Sequence, residues 1–217
     1  EKFDWDDSIA YNRGKVLNYE DLEKLESYGR YLDSDNDGIC YRTYPGTHPE
    51  KGAYFTRGTS HDEYARYTED GNVNAETLMR LMRKFRTASE LVPEPLIEIN
   101  GEDSCGIIFY GSSKPAVLEA KDILKTKNIN VDLMQIRSFP FNLDVWEFIA
   151  NHDRIYVVEQ NRDSQMRTLI MAEGGISAEV LRPLVHFTGD PIEAAYIVNK
   201  VSEREVNYKS HKNIKER

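Results

Sequence analysis

Between residues 106 and 201, short apolar runs alternate four times with amphipathic segments, and no other feature limits the possible folds so sharply. The runs are GIIFYGS, NVDLMQIRSFPF, RIYVVEQN and LVHF. The segments that follow them are PAVLEAKDILKTKN, DVWEFIANH, DSQMRTLIMAE and PIEAAYIVNKV. The runs are continuously apolar rather than apolar at every second position, so both faces of each strand need cover. Strands of that kind, each followed by a helix, predict an α/β domain whose parallel sheet carries helices on both sides. Ser113 and Pro115 open the first helix, with proline where its missing N–H does no harm.

Ligands of open parallel sheets gather at the carboxyl ends of the strands. Those ends fall here at residues 110–113, 137–140, 159–162 and 188–190. In the polar run EQNRDSQ, Glu159, Asn161 and Gln165 are either contacts to a ligand or subunit, or turn and N-cap groups of the next helix. No GxGxxG, GxxxxGKS or GxSxG occurs, so no motif points to a dinucleotide, a P-loop nucleotide or a serine nucleophile.

The first hundred residues read differently. Asn18 before YEDLEKLESYG predicts a capped helix over about residues 19–28, with acids in its first turn where the macrodipole favours them. Leu78, Leu81, Met82, Phe85 and Val92 recur at helical spacing and predict a second helix over about residues 74–92, its apolar stripe in the core and its basic face in solvent. Pro93 and Pro95 end it, and EINGEDS reads as a linker. Residues 31–70 have neither the 3.6-residue nor the 2-residue period. They hold turn formers, Tyr and Arg instead, and an irregular stretch of that length is usually functional or at an interface.

Within that stretch, Asp33, Asp35, Asp37 and Gly38 match positions 1, 3, 5 and 6 of a calcium loop, but position 12 is Tyr44 where a bidentate Glu belongs. The two readings are a Ca site and a polar turn capped by Asp side chains. Arg42, with Thr43 beside it, and Arg57 are candidates to bind a carboxylate or phosphate or to meet a partner. His61, next to Asp62, is either an acid/base group or a cap.

Composition narrows the function. Eleven acids against five bases through Asp37, within a net charge of -9, argue against nucleic acid as a partner. No apolar run reaches membrane-spanning length. Two cysteines 65 residues apart suggest neither a disulfide framework nor a metal knuckle, and a reducing, cytoplasmic setting is expected. The opening EKFDWDD, polar yet carrying Phe3 and Trp5, reads as the continuation of something longer.

Taken together, RGKVL, the stretch DLEKLESYGRYLDSDNDGICYRTYPGTHPEKGAYFTRGTSHDEYARYTED, LMRKFRTASELVP, GIIFYGSSKPAVLEAKDIL and IYVVEQNRDSQMRTL resemble the C-terminal portion of the alpha subunit of 2-oxoacid:ferredoxin oxidoreductases, closest to the 2-oxoglutarate type. The resemblance implies that residues 1–103 are the end of a pyrimidine-binding domain with its connecting segment. It implies that residues 104–200 resemble the transketolase C-terminal domain; residues 201–217, basic and without apolar periodicity, read as a frayed tail. It further implies oxidative decarboxylation of a 2-oxoacid with thiamine diphosphate, Mg and an iron–sulfur cluster, coenzyme A taking the acyl group and ferredoxin the electrons, alongside a beta subunit. The family's YPITP-type segment is missing here, so no catalytic role passes to any residue of this chain. This chain is then a structural and interface portion, inactive alone. The other readings are a non-enzymatic interaction module and a calcium-dependent structural domain.

Overall fold

Successive residues of each central strand point to opposite faces, and in this protein both faces are apolar. Ile107, Phe109, Leu133, Tyr156 and Val158 enter one core with Val117, Leu124, Ile197 and Val201. Ile108, Met134, Ile155 and Val157 enter a second core with Val145, Phe148 and Ile170. That is the physical origin of the continuous apolar runs. Each fully buried aliphatic side chain contributes roughly 1.5–3 kcal/mol.

The structure, a computed structural model, describes residues 4–52, 60–100 and 105–215. The chain divides into two units, Glu1–Ala88 and Ser89–Arg217. The division falls ahead of the 103/104 boundary expected from the proline-rich linker.

The C-terminal unit is an α/β domain with a five-stranded sheet in the order β1-β3-β2-β4-β5. The strands are β1 (Leu96–Glu98), β2 (Cys105–Phe109), β3 (Asp132–Gln135), β4 (Arg154–Glu159) and β5 (Leu181–Val185). β2 to β5 pair in parallel, as the sequence predicts, and β1 adds an antiparallel edge against β3. A helix follows each parallel strand. α3 (Lys114–Thr126) and α6 (Ala194–Lys215) supply the first core, and α4 (Leu143–Ala150) and α5 (Gln165–Gly174) the second. Gly106 lets β2 approach α4 closely, because a Cβ there would meet the Phe148 ring at 2.9 Å.

Two expectations are corrected. The linker assigned to EINGEDS begins inside β1, a strand of three exposed residues. The tail expected to fray from residue 201 continues α6 to Lys215, with Val201 and Glu205 buried.

The N-terminal unit holds α1 (Tyr19–Lys24), which starts where expected and ends earlier, and all but the last residue of α2 (Gly71–Ser89), which lies three residues ahead of the expected bounds, with irregular chain between them. Asn18 caps α1 in a reciprocal box with Asp21, at 2.9 and 3.2 Å. Only Leu22 and Ala65 are buried hydrophobic residues among the described residues of this unit. Within it, α2 sits the other way round from the expectation. Its basic face meets residues 33–38, while Leu78, Met79, Met82 and Phe85 are exposed. No helix among the described residues is long and apolar enough to cross a membrane.

Candidate functional site

The chain leaves β2 for β3 on one side and then returns to β4 on the other, so the topological switch point lies between the carboxyl ends of β2 and β4. Gln160 spans that point, donating from Nε2 to Ser112 Oγ at 2.9 Å and to Ser113 Oγ at 3.3 Å. Ser112 and Ser113 end the 3-10 turn Gly111–Ser113 that leads into α3. One residue before Gln160, the Glu159 side chain is fully buried.

Glu159 is held by donors on every side. Its carboxylate accepts from the backbone N–H groups of Met166 at 2.8 Å and Arg167 at 3.0 Å, and from Asn161 Nδ2 at 2.8 Å. It therefore neutralises the positive end of α5 from inside the domain. Asn161 Oδ1 accepts from the backbone N–H of Asp163 at 3.1 Å and of Gln165 at 3.2 Å, closing the turn in which Ser164 takes φ 51°. Of the two readings of EQNRDSQ, turn and cap chemistry is the geometry observed for Glu159 and Asn161. The Gln165 side chain is exposed. Tyr110 lies against the same group, and burial followed by the Glu159 charge pushes its hydroxyl above the ordinary range. The switch point thus offers two serine hydroxyls and an amide, while the N–H groups of α5 already serve an internal carboxylate.

In the N-terminal unit the other candidate residues do not converge. Arg42 donates from Nη2 to the Arg13 carbonyl at 2.7 Å and lies over the Tyr44 ring. Thr43 is buried. The His61 ring stacks on Tyr31 with centroids 3.9 Å apart, and Asp62 Oδ1 accepts from the N–H groups of Tyr64 and Arg66, each at 2.9 Å. Asp62 is therefore a turn former. Arg57 lies outside the described residues.

The calcium-loop pattern is also a helix-docking loop. Asp35 and Asp37 both accept from Lys15 Nζ, at 2.6 and 2.7 Å, and Asp33 accepts from Arg83 of α2 at 3.0 Å. Desolvation alone would lower the Lys15 value, but the two carboxylates outweigh it and hold the ammonium above its usual range. The same pairing holds Asp35 and Asp37 below the usual carboxylate range. Among the described residues no three His, Cys, Asp or Glu side chains are grouped as metal ligands. The donors expected to take calcium are turned to cations of the chain itself, so the residues present do not fit the metal.

Two clusters escaped the sequence reading. His48 is buried, with Nε2 at 2.7 Å from Glu23 Oε1. Its Nδ1 accepts from the N–H groups of Glu50 and Lys51 at 3.1 and 3.0 Å, so the ring proton on Nε2 is the one given to Glu23. The HPEKG turn was the available signal. At the amino ends of β2 and β4, Glu205 of α6 accepts from Arg154 Nε at 2.9 Å and from the Tyr156 hydroxyl at 2.8 Å. Burial would raise Glu205, yet the hydrogen bonds from Arg154 and Tyr156 hold it below the carboxylate range. No periodic apolar signal marks that position.

No family model matches the chain. It is 28% identical over 204 residues to the alpha subunit of 2-oxoacid:ferredoxin oxidoreductase 2 from Aeropyrum pernix, covering 90% of this chain and 30% of that protein. It is 26% identical over 191 residues to the 2-oxoacid:ferredoxin oxidoreductase alpha subunit of Saccharolobus solfataricus, covering 86% and 29%. This chain is similar to 2-oxoacid:ferredoxin oxidoreductase alpha subunits. It spans about a third of the length of the curated relatives it matches. In fold it resembles a 2-oxoglutarate:ferredoxin oxidoreductase from Magnetococcus marinus, solved with 2-oxoglutarate, coenzyme A and succinyl-CoA bound. That likeness has a TM-score of 0.72 at 24% identity, over 83% of this chain and 31% of the other.

Proposed function

We propose that this chain is a portion of a 2-oxoacid:ferredoxin oxidoreductase, of the 2-oxoglutarate type, and that it serves structure and subunit contact rather than the chemical step. The observation that carries the reading is the alignment over 204 residues, which runs through both units of the chain. In the complete enzyme a 2-oxoacid loses its carboxylate as CO2, the remaining acyl group forms a thioester with coenzyme A, and the electrons released pass to ferredoxin. Thiamine diphosphate would supply the acyl carbanion chemistry.

Among the described residues nothing gathers the ligands that a metal cofactor would need. Cys105 is buried, and with Cys40 it gives two thiols where a cluster needs four. No grouped ligands for Mg occur among the described residues. In this reading thiamine diphosphate, Mg and the cluster are held by other parts of the assembly, and this chain contributes contacts to the beta subunit. Gln165 beside the switch point, and Arg42, Arg57 and His61 in the N-terminal unit, are the interface or substrate-side residues of this reading, whereas Glu159, Asn161 and Asp62 serve turns and caps and Thr43 is buried.

The test is an assay on the native assembly that contains this chain, supplied with 2-oxoglutarate, coenzyme A and ferredoxin. Ferredoxin reduction dependent on both substrates is expected, with none from the 217-residue chain alone. An assembly that oxidises no 2-oxoacid would overturn the reading.

A further inference from the structure

The N-terminal unit exposes what a folded unit ordinarily buries. On α2, Val73, Thr77, Arg80, Arg83, Lys84 and Thr87 occupy one side of the helical wheel. Arg80 Nη1 donates to the Gly38 carbonyl at 3.1 Å, Arg83 pairs with Asp33, and Thr87 Oγ1 donates to the Asp37 carbonyl at 2.6 Å. The opposite side carries Leu78, Met79 and Met82, which are 54%, 57% and 63% exposed. Three large apolar side chains at spacings i, i+1 and i+4, each more than half open, form a continuous apolar ridge on the helix. A ridge of this kind marks a contact surface. The same unit also leaves an apolar cleft of about 510 Å³ among Val16, Leu17, Leu25, Tyr28, Leu32 and Tyr41.

We propose that the Leu78–Met79–Met82 ridge of α2 docks into an apolar groove on the larger part of the alpha subunit, the part that lies outside the aligned third. This inference rests on the function proposed above and names the surface and its partner. Two observations favour that occupant over a second copy. The relatives carry this stretch inside polypeptides of which it makes up only 30% and 29%, so about two thirds of such a subunit is available to cover the ridge. Each copy of the chain also carries a net charge of -9, which works against self-pairing. The docking direction follows from α2 itself. Its basic face is already engaged by residues 33–38, so the exposed apolar face is the one turned to a partner.

Methionine oxidation reads this surface directly, because Met79 and Met82 are exposed whereas Met134 is fully buried. The free chain and the native assembly are treated with dilute hydrogen peroxide, and sulfoxide is measured peptide by peptide. In the free chain Met79 and Met82 oxidise on the order of tenfold faster than Met134. In the assembly both fall to the Met134 rate. Equal rates for Met79 and Met82 in the two samples overturn the docking. So does protection in the free chain accompanied by sedimentation as a dimer, which would give the ridge to a second copy. The two readings separate cleanly. Protection in an assembly that oxidises no 2-oxoacid keeps the docking and removes the chemistry. Ferredoxin reduction without protection does the reverse. As a second variant, Met82→Glu leaves the basic face of α2 untouched and should let Met79 in the assembly oxidise at the rate of the free chain; protection of Met79 unchanged by Met82→Glu overturns the docking.

Discussion

Asp33 and Arg83 are fifty residues apart in sequence and 3.0 Å apart in the fold, and their pairing explains why an acidic loop of calcium-binding pattern lies in this chain. Asp33 is nearly buried, and its second oxygen accepts from the backbone N–H of Gly38 at 2.9 Å, so one carboxylate closes the loop and holds the helix. Gly38 is required by the same contact. Its φ is +80°, and a Cβ there would lie 2.8 Å from the Arg80 carbonyl oxygen.

Asp33→Ala should therefore loosen α2 by about 1–3 kcal/mol, the range for losing a charge-assisted hydrogen bond to a buried group. Hydrogen exchange checks it, since the amides of residues 80–87 should lose roughly tenfold or more of their protection. Calcium should change neither this protection nor Tm. A calcium-dependent rise in Tm would restore the metal reading.

Glu159 separates cap from contact at the switch point. Glu159→Ala removes the buried acceptor of two helix N–H groups and should cost about 1–3 kcal/mol in chemical denaturation. Gln160→Ala, at an exposed side chain, should stay within about 0.5 kcal/mol of the parent. If Gln160→Ala in the native assembly also leaves substrate KM values and subunit stoichiometry unchanged, the switch point has no contact role.

The sheet was legible because its signal is local. Ile107 beside Ile108, and Tyr156 beside Val157, require cover on two faces whatever else the chain does. The helical period of α2 was legible too, but a period marks a stripe without saying which side the rest of the unit takes. Here Arg80 and Arg83 are drawn to the acidic loop, and that charge pairing turns Leu78 and Met82 outward. β1 was invisible because three exposed residues carry no pattern, and their partners in β3 lie some forty positions on. The end of α6 was invisible for a related reason. Ile197 and Val201 begin a stripe that Glu205 continues, and a buried carboxylate reads as surface until Arg154 is seen beside it.

That pair gives the third prediction. Glu205→Leu would leave the buried Arg154 guanidinium without its carboxylate and should cost about 3–5 kcal/mol. Ending the chain at Lys200 should do comparable harm by the same route. Combining Glu205→Leu with Arg154→Met should recover much of the loss, because no buried charge remains. Urea denaturation of the three proteins checks this. A double variant as unstable as Glu205→Leu alone would show that packing, and not the stranded charge, sets the cost.

The same cluster fixes how stability responds to alkali. Cys105 is buried against Glu205, and burial together with that carboxylate pushes its thiol up to about 12, from an ordinary 9.0. Above about pH 9 the unfolded chain releases this proton while the folded chain keeps it, so the folded state binds more protons and loses stability as pH rises. The contribution is full below about pH 9 and is lost progressively towards 12, at roughly 1.4 kcal/mol per pH unit for one such group. Tyr156, likewise raised by burial and by Glu205, adds a loss of the same sign above its ordinary 10.0. Cys105→Ala should therefore flatten the fall in stability between about pH 9 and 10, leaving the Tyr156 component at higher pH. Urea midpoints measured at half-unit steps across that window check it. If Cys105→Ala and the parent lose stability in parallel there, the thiol titrates as freely in the folded domain as in the unfolded chain, and Glu205 does not act on it.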